Sequence, residues 1–171
     1  MGHSAITTRL MAGAFIIKDG RFLLMKRSDT RTFYPGVWGA VGGHLEPREI
    51  NEPRAACLRE IYEETGLTED DLTALDLRYI ALRRQGSEIR VLYTYIGYAK
   101  TFAYEDKTGE GTLHWIERED VLGRELSFVH RRALSHFMDH EEDRRVMAGA
   151  VSLVDAKPVL EWTPVADWYG Q

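Results

Sequence analysis

The chain has one cysteine, Cys57, only 5 prolines in 171 residues, and no excess of positive charge. A lone thiol cannot close an intrachain disulfide, so the fold must rest on its core, and the reducing cytoplasm is the expected compartment. The 22 basic residues stand against 27 acidic ones, a net charge of −5. No overall positive field then draws in nucleic acid or a membrane surface, and neither is expected as a partner. A polyanionic substrate would need its positive charge supplied locally. The apolar run 10–17 (LMAGAFII) falls well short of the roughly 20 residues that cross a bilayer and reads as a buried strand. A myristoylation motif requires Ser or Thr where Ile6 stands, so a soluble, unanchored protein is expected. Neither a Walker A sequence nor G-x-G-x-x-G occurs, because the glycines at 36, 39, 42 and 43 are spaced differently. The histidines show no zinc spacing with cysteine and read as surface residues.

What is present describes an ordinary globular chain, 44% apolar and 29% charged. Met11 to Ile17 and Arg21 to Arg27, joined by Lys18-Asp19-Gly20, predict a hairpin. Val37 to Val41 predicts a short strand running into Gly42-Gly43, and Glu52 to Thr65 a helix with Pro53 in its first turn and Gly66 just past its end. Leu77 to Arg84 and Glu88 to Tyr98 predict a second hairpin about Gln85-Gly86-Ser87, and Leu113 to Ile116 a further strand. Glu119 to Leu122 and Phe128 to His140 read as helices, and Val146 to Val154 and Val159 to Trp162 as strands. The order points to a mixed sheet with helices on its faces.

On the 52–65 helix, at ~100° per residue, Leu58, Ile61, Tyr62 and Thr65 are predicted to share one face and Glu60, Glu63 and Glu64 the opposite one. A solvated acidic face is the bland explanation, but the placement is unfavourable. Glu60 and Glu64 repel at i,i+4 by about 0.2–0.5 kcal/mol. Glu63 and Glu64 meet the negative end of the helix dipole at a further cost of about 0.3–1 kcal/mol. A bound divalent cation reverses both signs, and clustered carboxylates are hard ligands suited to Mg²⁺ or Mn²⁺ together with substrate phosphates. Gly42-Gly43 lets the backbone approach such a site closely. Cys57, placed toward the acidic side, is expected to have a raised thiol pKa and no nucleophilic role.

Gly43-His44-Leu45-Glu46-Pro47-Arg48-Glu49 followed by Arg59-Glu60-Ile61-Tyr62-Glu63-Glu64-Thr65-Gly66-Leu67 resembles the Nudix box, G-x5-E-x7-R-E-U-x-E-E-x-G-U with U apolar. Nine residues separate Glu49 from Arg59 where the pattern has seven, and the extra pair is expected in the loop ahead of Pro53, with Glu52 a possible stand-in for Glu49. Pro35-Gly36-Val37-Trp38 and the segment from Glu110 to Ile116 extend the similarity. The resemblance implies one Nudix-type α/β/α sandwich with a mixed β-sheet over 1–171, the box at about 43–67 and an extension at about 141–171. It implies Mg²⁺-dependent hydrolysis of a nucleoside triphosphate or nucleoside diphosphate conjugate, with oxidised purine nucleotides and ADP-ribose both open, and Mn²⁺ able to replace Mg²⁺. The implied metal ligands are Glu60, Glu64, Glu63 and the Gly43 carbonyl. Arg59 is implied to hold a neighbouring glutamate, Glu49 foremost, and the general base to be Glu60 ahead of Glu110. Arg27, Arg31, Arg83 and Arg84 are candidates for substrate phosphate, Arg27 foremost, and Phe33 and Trp38 for stacking on a base. A non-catalytic nucleotide-sugar sensor is the alternative, and a homodimer, with Trp162 and Trp168 at its interface or in the core, is a further expectation.

Overall fold

A computed structural model describes residues 5–30, 32 and 34–167, so Arg31, Phe33 and Trp168 lie outside the described residues. The chain runs β1 (Thr7–Lys18), β2 (Arg21–Arg27), β3 (Trp38–Gly39), β4 (Val41–His44), α1 (Pro53–Thr65), β5 (Leu72–Gln85) and β6 (Glu88–Ala99). It continues as β7 (Gly111–Glu117), α2 (Arg118–Val121), α3 (Phe128–Asp139), β8 (Met147–Ala150), β9 (Ser152–Val154), β10 (Lys157–Val159) and β11 (Thr163–Pro164). Both predicted hairpins form, as β1–β2 and β5–β6.

Alternation along β1 sets the layers. Ala12, Ala14 and Ile16 face one side and pack with Leu23, Met25 and the α1 residues Ala56, Cys57 and Ile61. Phe15 and Ile17 face the other and pack with Phe22, Leu24 and the α3 residues Ala133, Leu134 and Phe137. The sheet is therefore the middle layer of an α/β/α sandwich, as expected. Phe15, Phe22, Leu24, Ile61, Leu134 and Phe137 are completely buried, each contributing about 1.5–3 kcal/mol of transfer free energy. Among the described residues no helix is long and apolar enough to cross a membrane.

Strands follow the order β11-β8-β5-β6-β1-β2-β3, with β4 also on β1 and β7 on β2. β1 pairs in parallel with β6 along most of its length, but on its other edge it changes partner. Ile16–Lys18 pair with β2, whereas Met11–Ala14 pair with β4. This split corrects the single strand expected over Val37 to Val41: Trp38 and Gly39 bond β2, Val41 onward bonds β1, and Ala40 lies at the crossing between them. Beside the split, β2 and β4 diverge and a cavity opens. The tail strand expected over Val146 to Val154 is likewise cut in two at Val151, whose N–H donates instead to the Leu82 carbonyl at 2.8 Å.

Candidate active site

Two glycines bring β4 against α1. Gly42 has φ 154°, and a side chain there would stand 2.3 Å from the Ala12 carbonyl oxygen, so only glycine lets β4 lie this close to β1. A Cβ at Gly43 would lie 2.5 Å from Glu60 Oε1, inside the space that the carboxylate occupies. The Gly42 N–H donates to Glu64 Oε2 at 2.9 Å.

The helix starts at Pro53 and stops at Gly66, whose φ of 72° ends the turn while its N–H donates to the Tyr62 carbonyl at 2.9 Å. A 3-10 turn, Pro47–Glu49, precedes it, and the exposed Ile50 and Asn51 bulge between the two. The helix register is undisturbed by the longer box. Glu52 caps the helix without a side-chain bond and is exposed, so it does not stand in for Glu49.

Glu49 is held by Arg59, whose Nε donates to Glu49 Oε1 at 2.8 Å and whose Nη2 donates to Glu49 Oε2 at 2.9 Å. Nη2 also donates to the His44 carbonyl at 3.0 Å, and Nη1 donates to Glu60 Oε1 and Glu63 Oε2, both at 2.9 Å. Every guanidinium donor is thus engaged. The side chains of Arg59 and Glu49 are only 19% and 10% exposed, which makes the pair stronger than a surface bridge. Arg59's hydrogen bonds draw the Glu49 carboxyl down to about 2 against the opposing effect of burial, with help from the Glu46 N–H.

Glu64 lies in the opposite environment. Burial pushes its carboxyl up to about 8; the Gly42 N–H works against this, while nearby Glu60 and Glu110 add to it. Glu60 is raised too, first by burial, with Arg59 opposing and Glu63 and Glu110 reinforcing. Glu110 comes close because the segment after β6 docks on the end of α1. The N–H groups of Glu105 and Lys107 donate to the Thr65 and Glu64 carbonyls at 2.8 and 3.0 Å, capping groups that the helix leaves unpaired. Arg27 reaches Glu110 at 3.5 Å, and its Nε is buried without an acceptor among the described residues.

Arg27, Trp38, Gly43 and Arg83 all border a cavity of about 320 Å³ beside the glycine pair. Arg83 Nη1 donates to the Tyr34 hydroxyl at 3.2 Å and its guanidinium lies over that ring, with no carboxylate partner among the described residues. Arg84 instead donates Nε to the Gly86 carbonyl at 2.8 Å, within its own turn. Trp38 borders the cavity while resting against His114 and Arg124.

Three expectations are corrected. Tyr62 is 53% exposed, whereas Glu64 is buried with Ala56, Cys57, Ile61 and Thr65, because β4 and the segment after β6 cover that side of α1. Cys57 lies in the core, where burial raises its thiol pKa ahead of any effect of Glu60. His130 is no surface residue: it borders the cavity beside Phe15 and Gly39, and burial lowers its pKa to about 4. A histidine one turn into an amphipathic helix carries no sequence signal for that.

A profile of the NUDIX domain matches residues 7–148. The chain belongs to the Nudix family. The nucleoside triphosphatase NudI of Salmonella paratyphi B is 40% identical to this Nudix hydrolase over 135 residues, 74% of this chain and 94% of that one. The MutT NUDIX hydrolase of Burkholderia pseudomallei is 27% identical with a TM-score of 0.61, covering 75% of this chain and 97% of that one. At 19% identity, the MutT protein of Bacillus halodurans shares the fold with a TM-score of 0.72, over 92% of this chain and 99% of that one. The protein is a hydrolase acting on phosphorus-containing anhydrides.

Whether these residues suit a divalent metal can be judged from the donor set. Among the described residues no three acidic, histidine or cysteine groups converge on one point, since Arg59 draws Glu60 and Glu63 toward itself. The Glu60–Glu64–Glu110 side nevertheless gathers hard oxygens; burial first, and neighbouring carboxylates second, raise the Glu60 and Glu64 carboxyls, and Gly43 leaves its backbone open beside Glu60. That chemistry fits a small hard cation.

Proposed function

We propose that this Nudix hydrolase is a Mg²⁺-dependent pyrophosphohydrolase of nucleoside triphosphates. The reading is carried by the division of the box acids: Arg59 clamps Glu49, while Glu64 and Glu60 lie against Gly42-Gly43 with raised carboxyls. Relatives named as nucleoside triphosphatases support the substrate class. Glu60, Glu64 and the Gly43 carbonyl would hold the cation, with Glu63, 54% exposed, at the rim. When bound, Mg²⁺ neutralises phosphate charge and lowers the pKa of water.

The remaining work falls to the chain itself. Arg59 is a positioning residue: its three glutamate partners and the His44 carbonyl fix the loop before α1 to the helix. Arg27, with a free buried Nε–H and Glu110 nearby, meets the phosphates at the cavity edge. Glu60, whose carboxyl is raised by burial, accepts the proton of the attacking water, and Glu110 is the second acid within electrostatic reach. The water oxygen bonds to phosphorus, the P–O bond bridging the α- and β-phosphates breaks, and the leaving pyrophosphate or nucleoside monophosphate carries the bond's electrons. Arg83 and Trp38 face the nucleoside in the cavity.

The test is chromatographic product analysis with a panel of nucleoside triphosphates, oxidised nucleotides, ADP-ribose and dinucleoside polyphosphates, in Mg²⁺, in Mn²⁺ and in EDTA. Metal-dependent cleavage of triphosphates is expected. Turnover confined to ADP-ribose or dinucleotides would replace the substrate class, and tight binding without product would favour a sensor.

A further inference from the structure

The family profile stops at residue 148. Part of the tail completes the sheet. β8 runs parallel to β5, β11 pairs with β8, and Trp162 packs on Tyr79 with ring centroids 4.8 Å apart. The Trp162 Nε1–H donates to the Arg132 carbonyl at 3.2 Å.

The segment between β8 and β11 does something else. Among the described residues β9 and β10 pair only with each other, and an isolated two-stranded ribbon is marginal in water. This one is pinned at both ends. Ahead of it the Val151 N–H donates to the Leu82 carbonyl at 2.8 Å, and after it the Leu160 carbonyl accepts from Arg132 Nη2 at 2.8 Å. Leu160 is buried with Ala81 and Val129, and Val151, Leu92 and Phe128 pack against the same cluster. Of these, Ala81, Leu92, Phe128 and Val129 border the cavity beside Gly42-Gly43, and so do Val151 and Pro158. Val151 and Pro158, two residues beyond the span of the family profile, thus join the cavity lining.

At about 320 Å³ the cavity is at the small end of the roughly 300–1,000 Å³ typical of small-molecule sites, enough for one compact group. Apolar walls, a tyrosine and an arginine without a carboxylate partner suit a nucleobase, with its flat faces and polar edge. We propose that Val151 and Pro158 are specificity-determining residues that wall the nucleoside end of the cavity, so the tail selects which base is accepted. This rests on the reading that the substrate carries a nucleoside.

The test pairs binding with kinetics. Nucleoside 5′-monophosphates of the four common bases are titrated calorimetrically into metal-free enzyme, and KM and kcat are measured for the matching triphosphates. V151W, which fills the cavity, is expected to weaken the best monophosphate and raise the KM of its triphosphate by about tenfold or more, with kcat within about threefold. V151A and P158A, at half-buried and exposed positions, keep the fold and reduce the preference between best and next base by about fivefold. Thermal melts check folding.

If triphosphates are turned over and all three variants keep the parent's KM and base preference, the wall is overturned and the activity stands. If no triphosphate is turned over but monophosphate binding still depends on Val151, the activity falls and the wall stands. Absence of monophosphate binding to the parent overturns the wall outright.

Discussion

Glu49 and Glu64 belong to one site, yet their carboxyls go to about 2 and about 8. Both have little exposed surface, but burial dominates at Glu64, whereas at Glu49 it is outweighed by the hydrogen bonds of Arg59. The partners widen the difference. Glu49 meets a bidentate guanidinium that shares its burial, whereas Glu64 meets one backbone N–H and two other carboxylates. Half of the site is thus neutralised from within, and the other half calls for a cation from outside.

The comparison can be broken most severely at its uncompensated half. Glu64→Gln keeps the shape and the Gly42 hydrogen bond but removes a hard anionic donor. Steady-state turnover of the best triphosphate should drop by about three orders of magnitude with unchanged circular dichroism, the several kcal/mol that metal stabilisation supplies. Arg59→Ala attacks the other half. Leaving Glu49 buried and unpaired should cost about 3 kcal/mol in denaturant unfolding. Turnover should fall by about 10–100-fold, the scale of losing an outer-shell partner, and Arg59→Lys should recover little because one ammonium cannot replace a five-donor fork.

pH sharpens the contrast, because the two acids carry opposite signs in metal-free protein. Glu49, depressed from the usual 4.5, contributes stability that is fully present above that value and lost as the pH falls toward about 2. Glu64, raised from 4.5 to about 8, releases its proton more readily when unfolded, so stability falls as the pH rises across that interval. Thermal melts in EDTA should therefore show a smaller loss from about pH 5 to pH 8 for Glu64→Gln than for the parent. Equal slopes would contradict the placement of Glu64. The smallest effect belongs to Glu63→Gln: half-exposed and bonded only at the edge of the Arg59 network, it should change turnover by less than about threefold.

Much of this was legible in the sequence where the controlling contacts are local. Asp19-Gly20 between apolar runs, Pro53 and Gly66 at the helix ends, and the spacing of Arg59, Glu60, Glu63 and Glu64 each depend on a few neighbouring residues. The extra box residues also fall where loop cost is low, in the turn at Ile50 and Asn51. The burial of Glu64 and the exposure of Tyr62 were not legible, because β4 and the segment after β6 decide which side of α1 is covered. His130 and Val151 share that reason: their place at the cavity follows from pairings between residues far apart in sequence.

The most direct measurement is calorimetric titration of Mn²⁺ into the parent, Glu64→Gln and Glu63→Gln. The division of the acids predicts binding to the parent, affinity within about threefold for Glu63→Gln, and a loss of at least about tenfold for Glu64→Gln. Parent-like affinity in Glu64→Gln, or a loss confined to Glu63→Gln, would place the cation on the half that Arg59 already neutralises and contradict the account.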